Sequence, residues 1–185
     1  MSHTYVSGLF HCVFSTKGLC GLIPAAKQSD LWSYLGGIAR KNGFKALAVG
    51  GTANHVHLLL SLPAAMTLAK AMQLLKGGFL KWMNDSGANA FAWQQGYWAF
   101  SVGISQQADT ISYIRSQAEH HHKHGFEDEF LAFLKKHGIE YDPSQVWVDF
   151  SLPSGTSLVC NGLPNPALKR RAIVSRPCRA ELDLA

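Results

Sequence analysis

The sequence predicts an α+β fold, and three observations carry that expectation. Segments with the two-residue period of strands alternate with segments of helical spacing. Glycine, asparagine and proline punctuate the junctions between them. The chain of 185 residues is 47% hydrophobic and only 16% charged, the opposite of a disordered composition, so most of it must bury a core.

Residues 5–15 open the pattern. Val6, Phe10, Cys12 and Phe14 alternate with Tyr5, Leu9, His11 and Val13, as in a strand covered on both faces. After a loop with Gly18, Gly21 and Pro24, residues 27–42 place Leu31, Trp32, Leu35, Ile38 and Ala39 at helical spacing, and Asn42-Gly43 supplies a stop. Strands are expected over 44–49 and 55–62, joined by a connection short enough for an antiparallel hairpin. Thr67 caps a helix reaching to about residue 84, with Leu68, Ala71, Met72, Leu75 and Phe79 on one stripe. A fourth strand is expected over 97–104, and helices over 105–122 and 127–137. Strand, helix, strand, strand, helix, strand is the order of a ferredoxin-like split βαβ unit, an antiparallel sheet with helices on one face. The other face is left open for function.

Residues 1–150 are expected to form one catalytic domain. Beyond Pro143 periodicity fades, and residues 151–185, with Pro153, Pro164, Pro166 and Pro177, read as an irregular basic tail. That tail holds five basic against two acidic residues, more than half of the chain's net charge of +5. A mild positive excess is compatible with a polyanionic partner without requiring one. No apolar run approaches the ~20 residues of a membrane span, and the N-terminus lacks signal-peptide character. A soluble, cytoplasmic protein is expected. Cys12, Cys20, Cys160 and Cys178 lack metal or disulfide-framework spacing, so free thiols are expected.

The chemistry concentrates in two short segments. In the strand His55-Val56-His57, alternation puts both imidazoles on one face, about 6–7 Å apart along the strand, where they can share a cation. An isolated pair of this kind is more often a pair of locally bonded strand histidines. In the later helix, Tyr113 and Gln117 stand at i and i+4 and so share a face. Two imidazoles and an amide oxygen would make a mixed N/O site suited to Mg²⁺ or Mn²⁺. A phenol of ordinary pKa about 10 is a poor nucleophile and needs such a cation to polarise a phosphate.

Asn54-His55-Val56-His57-Leu58-Leu59-Leu60, followed some sixty residues on by Tyr113-x-x-x-Gln117, resembles the single-tyrosine HUH transposases of small bacterial insertion sequences, including the REP-associated tyrosine transposases. Further matches are His11 with Val13-Phe14-Ser15-Thr16-Lys17, Leu75-Lys76-Gly77, Trp93-Gln94-Gln95-Gly96-Tyr97 through Ser101-Val102, and Phe130-Leu131-Ala132-Phe133-Leu134. The resemblance covers roughly residues 4–147. It implies His55, His57 and Gln117 as metal ligands, with Tyr113 on a helix near the open face as nucleophile toward single-stranded DNA near hairpins. A 5′-phosphotyrosine and a free 3′-OH would result, in a homodimer. Two departures stand out. Asn54 replaces an aspartate common before the first histidine, and Gly18-Leu19-Cys20-Gly21 replaces a basic run.

Lys76, Arg115 and His121 are the candidate DNA contacts; lysines and arginines on helix faces are as often simply solvated. Trp93 and Tyr97 offer stacking surfaces for unpaired bases, while core packing is expected for Trp98. The histidines at 120, 121, 122 and 124 point in different directions on a helix and cannot all reach one ion. Two other function classes compete. Histidine-triad nucleotide hydrolases need a third histidine where Leu59 stands. A noncatalytic hairpin-DNA-binding protein derived from such a transposase remains the alternative reading.

Overall fold

The computed structural model describes residues 5–85, 91–120 and 125–142. The expected tail at 151–185 and His121 lie outside the described residues. Four strands, β1 (Gly8–Ser15), β2 (Lys45–Gly51), β3 (His55–Leu62) and β4 (Trp98–Ser101), form one antiparallel sheet in the order β2-β3-β1-β4. This is the ferredoxin-like arrangement that the element order predicts. Helices α1 (Ala25–Lys41) and α2 (Leu68–Asp85) are the two crossovers.

Side-chain alternation divides the sheet into two chemically different faces. Cys12 and Phe14 of β1 and Val56, Leu58, Leu60 and Leu62 of β3 meet Leu31, Leu35 and Ala39 of α1 and Ala71, Met72, Leu75, Phe79 and Met83 of α2. Each fully buried large apolar side chain contributes about 1.5–3 kcal/mol, so this face supplies most of the stability. α1 stops where expected. Gly43 takes φ +77°, a left-handed conformation open to glycine, and its amide bonds the Arg40 carbonyl while Phe44 N–H bonds that of Ala39.

The opposite face carries His11, Val13, His55, His57 and Leu59. It is covered by α3 (Gln107–Arg115) on the β2 side, while Phe130 and Leu134 of α5 (Phe126–Lys136) cluster with Phe100 of β4. Ile114 of α3 joins Leu9, Ala48 and Leu59 in a second cluster.

Three boundaries differ from expectation. β2 runs through Gly51 because Gly50 and Gly51 pair with His57 and Val56, and a bulge at Ala46–Ala48 shifts its register. β4 is shorter than 97–104, since the chain turns into a 3-10 turn at Ile104–Gln106 once Val102 N–H has bonded the Leu9 carbonyl. The helix expected over 105–122 is broken: α3 ends at Arg115 and α4 spans Gln117–His120. The local cause is Ser116, whose hydroxyl donates to the Tyr113 carbonyl at 3.2 Å and whose φ/ψ (−90°, 10°) leaves the helical region.

Cys12 is a free, buried thiol whose burial pushes its pKa up to about 12. Cys20, where a free thiol is expected, is disulfide-bonded.

Candidate metal and nucleophile site

The two histidines project together into the covered face and are almost wholly buried, His55 at 0% and His57 at 1% exposure. Each ring is held by a different neighbour. The three-residue turn Thr52-Ala53-Asn54 between β2 and β3 folds its own polar side chains back on His55: Asn54 Oδ1 lies 2.7 Å from His55 Nδ1 and Thr52 Oγ1 lies 3.0 Å from it. Thr52 also donates to Asn54 Oδ1 at 2.9 Å. An amide oxygen only accepts, so His55 Nδ1 carries the proton and Nε2 keeps the lone pair that a metal needs. His57 Nδ1 lies 3.0 Å from Nε2 of His11, on the neighbouring strand, and the two rings stack at 5.2 Å. Burial, with Lys136 and His137 nearby, pushes the His11 pKa down to about 4, so His11 is neutral.

Glu129 of α5 completes the cluster. One ligand atom from each of His55, His57 and Glu129 lies within 4.8 Å of the others, and Glu129 Oε1 is 3.8 Å from His57 Nε2. Burial pushes the Glu129 carboxyl up to about 7. Gln117, 1% exposed, donates from Nε2 to Glu129 Oε1 at 3.2 Å. Its buried Oε1 has no hydrogen-bond partner among the described residues. A buried carbonyl oxygen left in this way costs free energy unless something binds it. Two imidazoles, the Glu129 carboxyl group and that amide oxygen form a donor set that fits a divalent metal ion.

Tyr113 stands against this cluster within the same chain. Its ring is 6.0 Å from the rings of His57 and His11, edge-on to both, and 5.7 Å from Phe133. Its hydroxyl is buried. A cleft of about 500 Å³ between α3 and α5 has His11, Tyr113 and Glu129 in its wall.

The placement of α3 depends on a missing side chain. A Cβ on Gly50 would come within 2.1 Å of the Ile114 carbonyl oxygen, so only glycine lets the tyrosine helix lie this close to the sheet beside His57. The strand expected over 44–49 ends before Gly50-Gly51. The pair is instead part of the strand, and Gly50 is the seat of α3.

Thus the residues anticipated at His55, His57, Tyr113 and Gln117 come together, although the last two lie on separate helices rather than one. Glu129 was missed. Its signal is an acid on the apolar stripe of a helix, between Phe126, Phe130 and Phe133, where a carboxylate is not expected to be solvated. The other candidates lie elsewhere. Lys76 Nζ donates to the carbonyls of Gln94 and Gly96 and sits 5.7 Å over the Phe14 ring, on the far side of the sheet. Its burial lowers the ammonium pKa. Arg115 is exposed on the outer side of α3 beside Ser112 and Ser116. Trp93 packs on Phe14, Phe79 and Phe91 and donates to the Lys76 carbonyl, and Trp98 packs on Phe126 and Phe130.

The sequence model of the family described as IS200-like transposases matches residues 4–117. Among solved structures, a protein of Deinococcus radiodurans R1 assigned as a transposase superposes with a TM-score of 0.50 at 22% identity, covering 63% of this chain and 96% of its own. A REP-associated tyrosine transposase bound to a REP hairpin gives a TM-score of 0.43 at 16% identity, covering 62% and 68%. No curated protein matches the chain.

Proposed function

This chain belongs to the IS200-like transposase family, and on that premise we propose that it nicks and rejoins single-stranded DNA through a covalent tyrosine intermediate. The observation that carries the reading is the packing of the Tyr113 ring 6.0 Å from His57, in a cluster whose His55, His57 and Glu129 ligand atoms lie within 4.8 Å of each other.

In this reading His55, His57, Gln117 and Glu129 hold a divalent cation, Mg²⁺ or Mn²⁺. When bound, the ion polarises the scissile phosphate and stabilises the charge that develops on its oxygens. Asn54 and Thr52 hold His55 in the tautomer that offers Nε2, so the asparagine that replaces the family's usual aspartate still orients the ring without adding charge. Tyr113 gives up its phenolic proton and its oxygen attacks phosphorus. The bond from phosphorus to the 3′ oxygen breaks, and that oxygen takes up a proton to become a free 3′-OH. The DNA 5′ end stays on the tyrosine as a phosphodiester, and the reverse attack by a 3′-OH rejoins a strand without nucleotide hydrolysis. Burial of the Tyr113 hydroxyl and the histidines calls for opening of α3 or α5 to admit the strand.

The resemblance to REP-associated transposases supports hairpin-bearing single strands as substrate and a homodimer as the working unit. Residues 1–150 serve as the catalytic domain. Arg115 and His121 are assigned as DNA contacts. Lys76 is the weakest of the three, since a phosphate there would compete with two carbonyls.

The test is incubation of the protein with labelled hairpin-bearing single strands and Mn²⁺. A denaturant-resistant protein–DNA adduct is expected, lost with EDTA and in Tyr113→Phe. An adduct that persists in Tyr113→Phe overturns the assignment. Hairpin binding with no cleavage by the intact protein establishes the noncatalytic alternative.

A further inference from the structure

We propose that the cleft between α3 and α5 receives one unpaired base of the DNA strand, that of the nucleotide beside the phosphate Tyr113 attacks. Asp109 and Asp128 there select a base bearing an exocyclic amino group. The proposal rests on the nicking reading above and adds to it a base-specific subsite.

The size and position of the cleft come first. Its volume of about 500 Å³ lies within the range of small-molecule sites, and Tyr113 and Glu129 line it, so whatever occupies it adjoins both the nucleophile and the metal cluster. Its wall is aromatic. Phe133 and His137, one turn apart, are nearly coplanar in orientation (19°), and both lie close to parallel with Phe100, at 19° and 25°. One face of each stacks on Phe100, while Phe133 is half-buried and His137 exposed, so their rings stay partly open to the cleft. His11 meets Phe133 edge-on at 5.1 Å and thereby links the cleft to His57. Flat, partly exposed rings are what an unpaired base stacks on.

The rim then decides which part of a nucleotide enters. Asp109 of α3 and Asp128 of α5 both line the cleft, together with Glu129, and Lys136 is the lysine in its wall. This acidic excess repels a phosphate, which places the strand's backbone outside and its base inside. A carboxylate accepts from the amino group of cytosine, adenine or guanine, whereas thymine has no exocyclic amino group to donate. The aromatic wall and the acidic rim thus point to the same occupant from independent observations.

The experiment uses the full chain with Tyr113→Phe, which keeps the ring and cannot form the adduct, and labelled ten-nucleotide strands of dC or dT, equal in charge. Fluorescence anisotropy is expected to show dC binding about tenfold more tightly, the scale of one good base-edge contact. Asp109→Ala with Asp128→Ala, both at exposed positions, should erase that advantage without weakening dT. Phe133→Leu should weaken both strands alike. Equal binding of dC and dT, or an advantage that survives the double substitution, overturns the proposal. The adduct assay on the unsubstituted protein, run in parallel, separates the two claims. An adduct without base preference removes the subsite alone. A preference abolished by the double substitution, with no adduct, keeps the subsite and removes the nicking reading.

Discussion

His11 shows how far one side chain acts through another. It touches His57 through a 3.0 Å hydrogen bond on the nitrogen remote from Glu129, and its lowered pKa keeps it neutral. If His57 Nε2 gives its lone pair to a metal, then His57 Nδ1 is the donor and His11 Nε2 the acceptor, so the His11 proton sits on Nδ1. His11→Phe keeps the ring volume and removes the acceptor. Mn²⁺ affinity, measured by calorimetry, should fall about 10–100-fold, while His11→Gln, which can still accept, should recover part of the loss. Affinity unchanged in His11→Phe would mean that the pair merely packs. Cys12 gives a second residue-scale prediction. With its pKa raised to about 12 and its side chain at 0% exposure, it should resist alkylation at pH 8 in the native protein and react on unfolding. Rapid native labelling at Cys12 would contradict its placement.

At the scale of elements, the fit of α3 onto β2 is the controlling contact. The Gly50 Cβ position coincides with the Ile114 backbone, and backbone cannot swing aside as a flexible side chain can. Gly50→Ala should therefore push α3 off the sheet, costing about 1–3 kcal/mol in denaturant unfolding and displacing Tyr113 from His57. Adduct formation should drop more steeply than metal affinity, because His55 and His57 sit on β3 and stay put. Equal losses in both would place the damage in the sheet. Ser116 matters for the same reason: the break it makes lets Gln117 turn toward Glu129 while Tyr113 stays edge-on to His57.

At the scale of the molecule, the two sheet faces divide the labour. One face is a conventional apolar core against α1 and α2. The other buries His11, His55, His57, Gln117 and Glu129, and the Gln117 amide oxygen has no hydrogen-bond partner among the described residues, which costs stability. A divalent ion should relieve part of that cost. At a metal concentration of 100 times Kd, thermal unfolding of the whole chain should be stabilised by about 2.7 kcal/mol, reversed by EDTA and absent in His55→Ala. No shift on adding Mn²⁺ would count against the metal site. No helix among the described residues is long and apolar enough to cross a membrane.

The sequence by itself determined the element order and hence the sheet, because period-two and helical spacings with clear stops leave few ways to bury the apolar faces. It also determined that His55 and His57 share a face, since alternation along a strand is local geometry. Only the tertiary structure decided the rest. The break at Ser116 depends on a side-chain hydrogen bond that competes with the helix, which periodicity does not register. Glu129 enters the site because α5 folds over the second face, a contact between positions more than seventy residues apart. Gly50 reads as a stop in one dimension and becomes the seat of α3 in three, because close approach of two backbones has no signature in spacing.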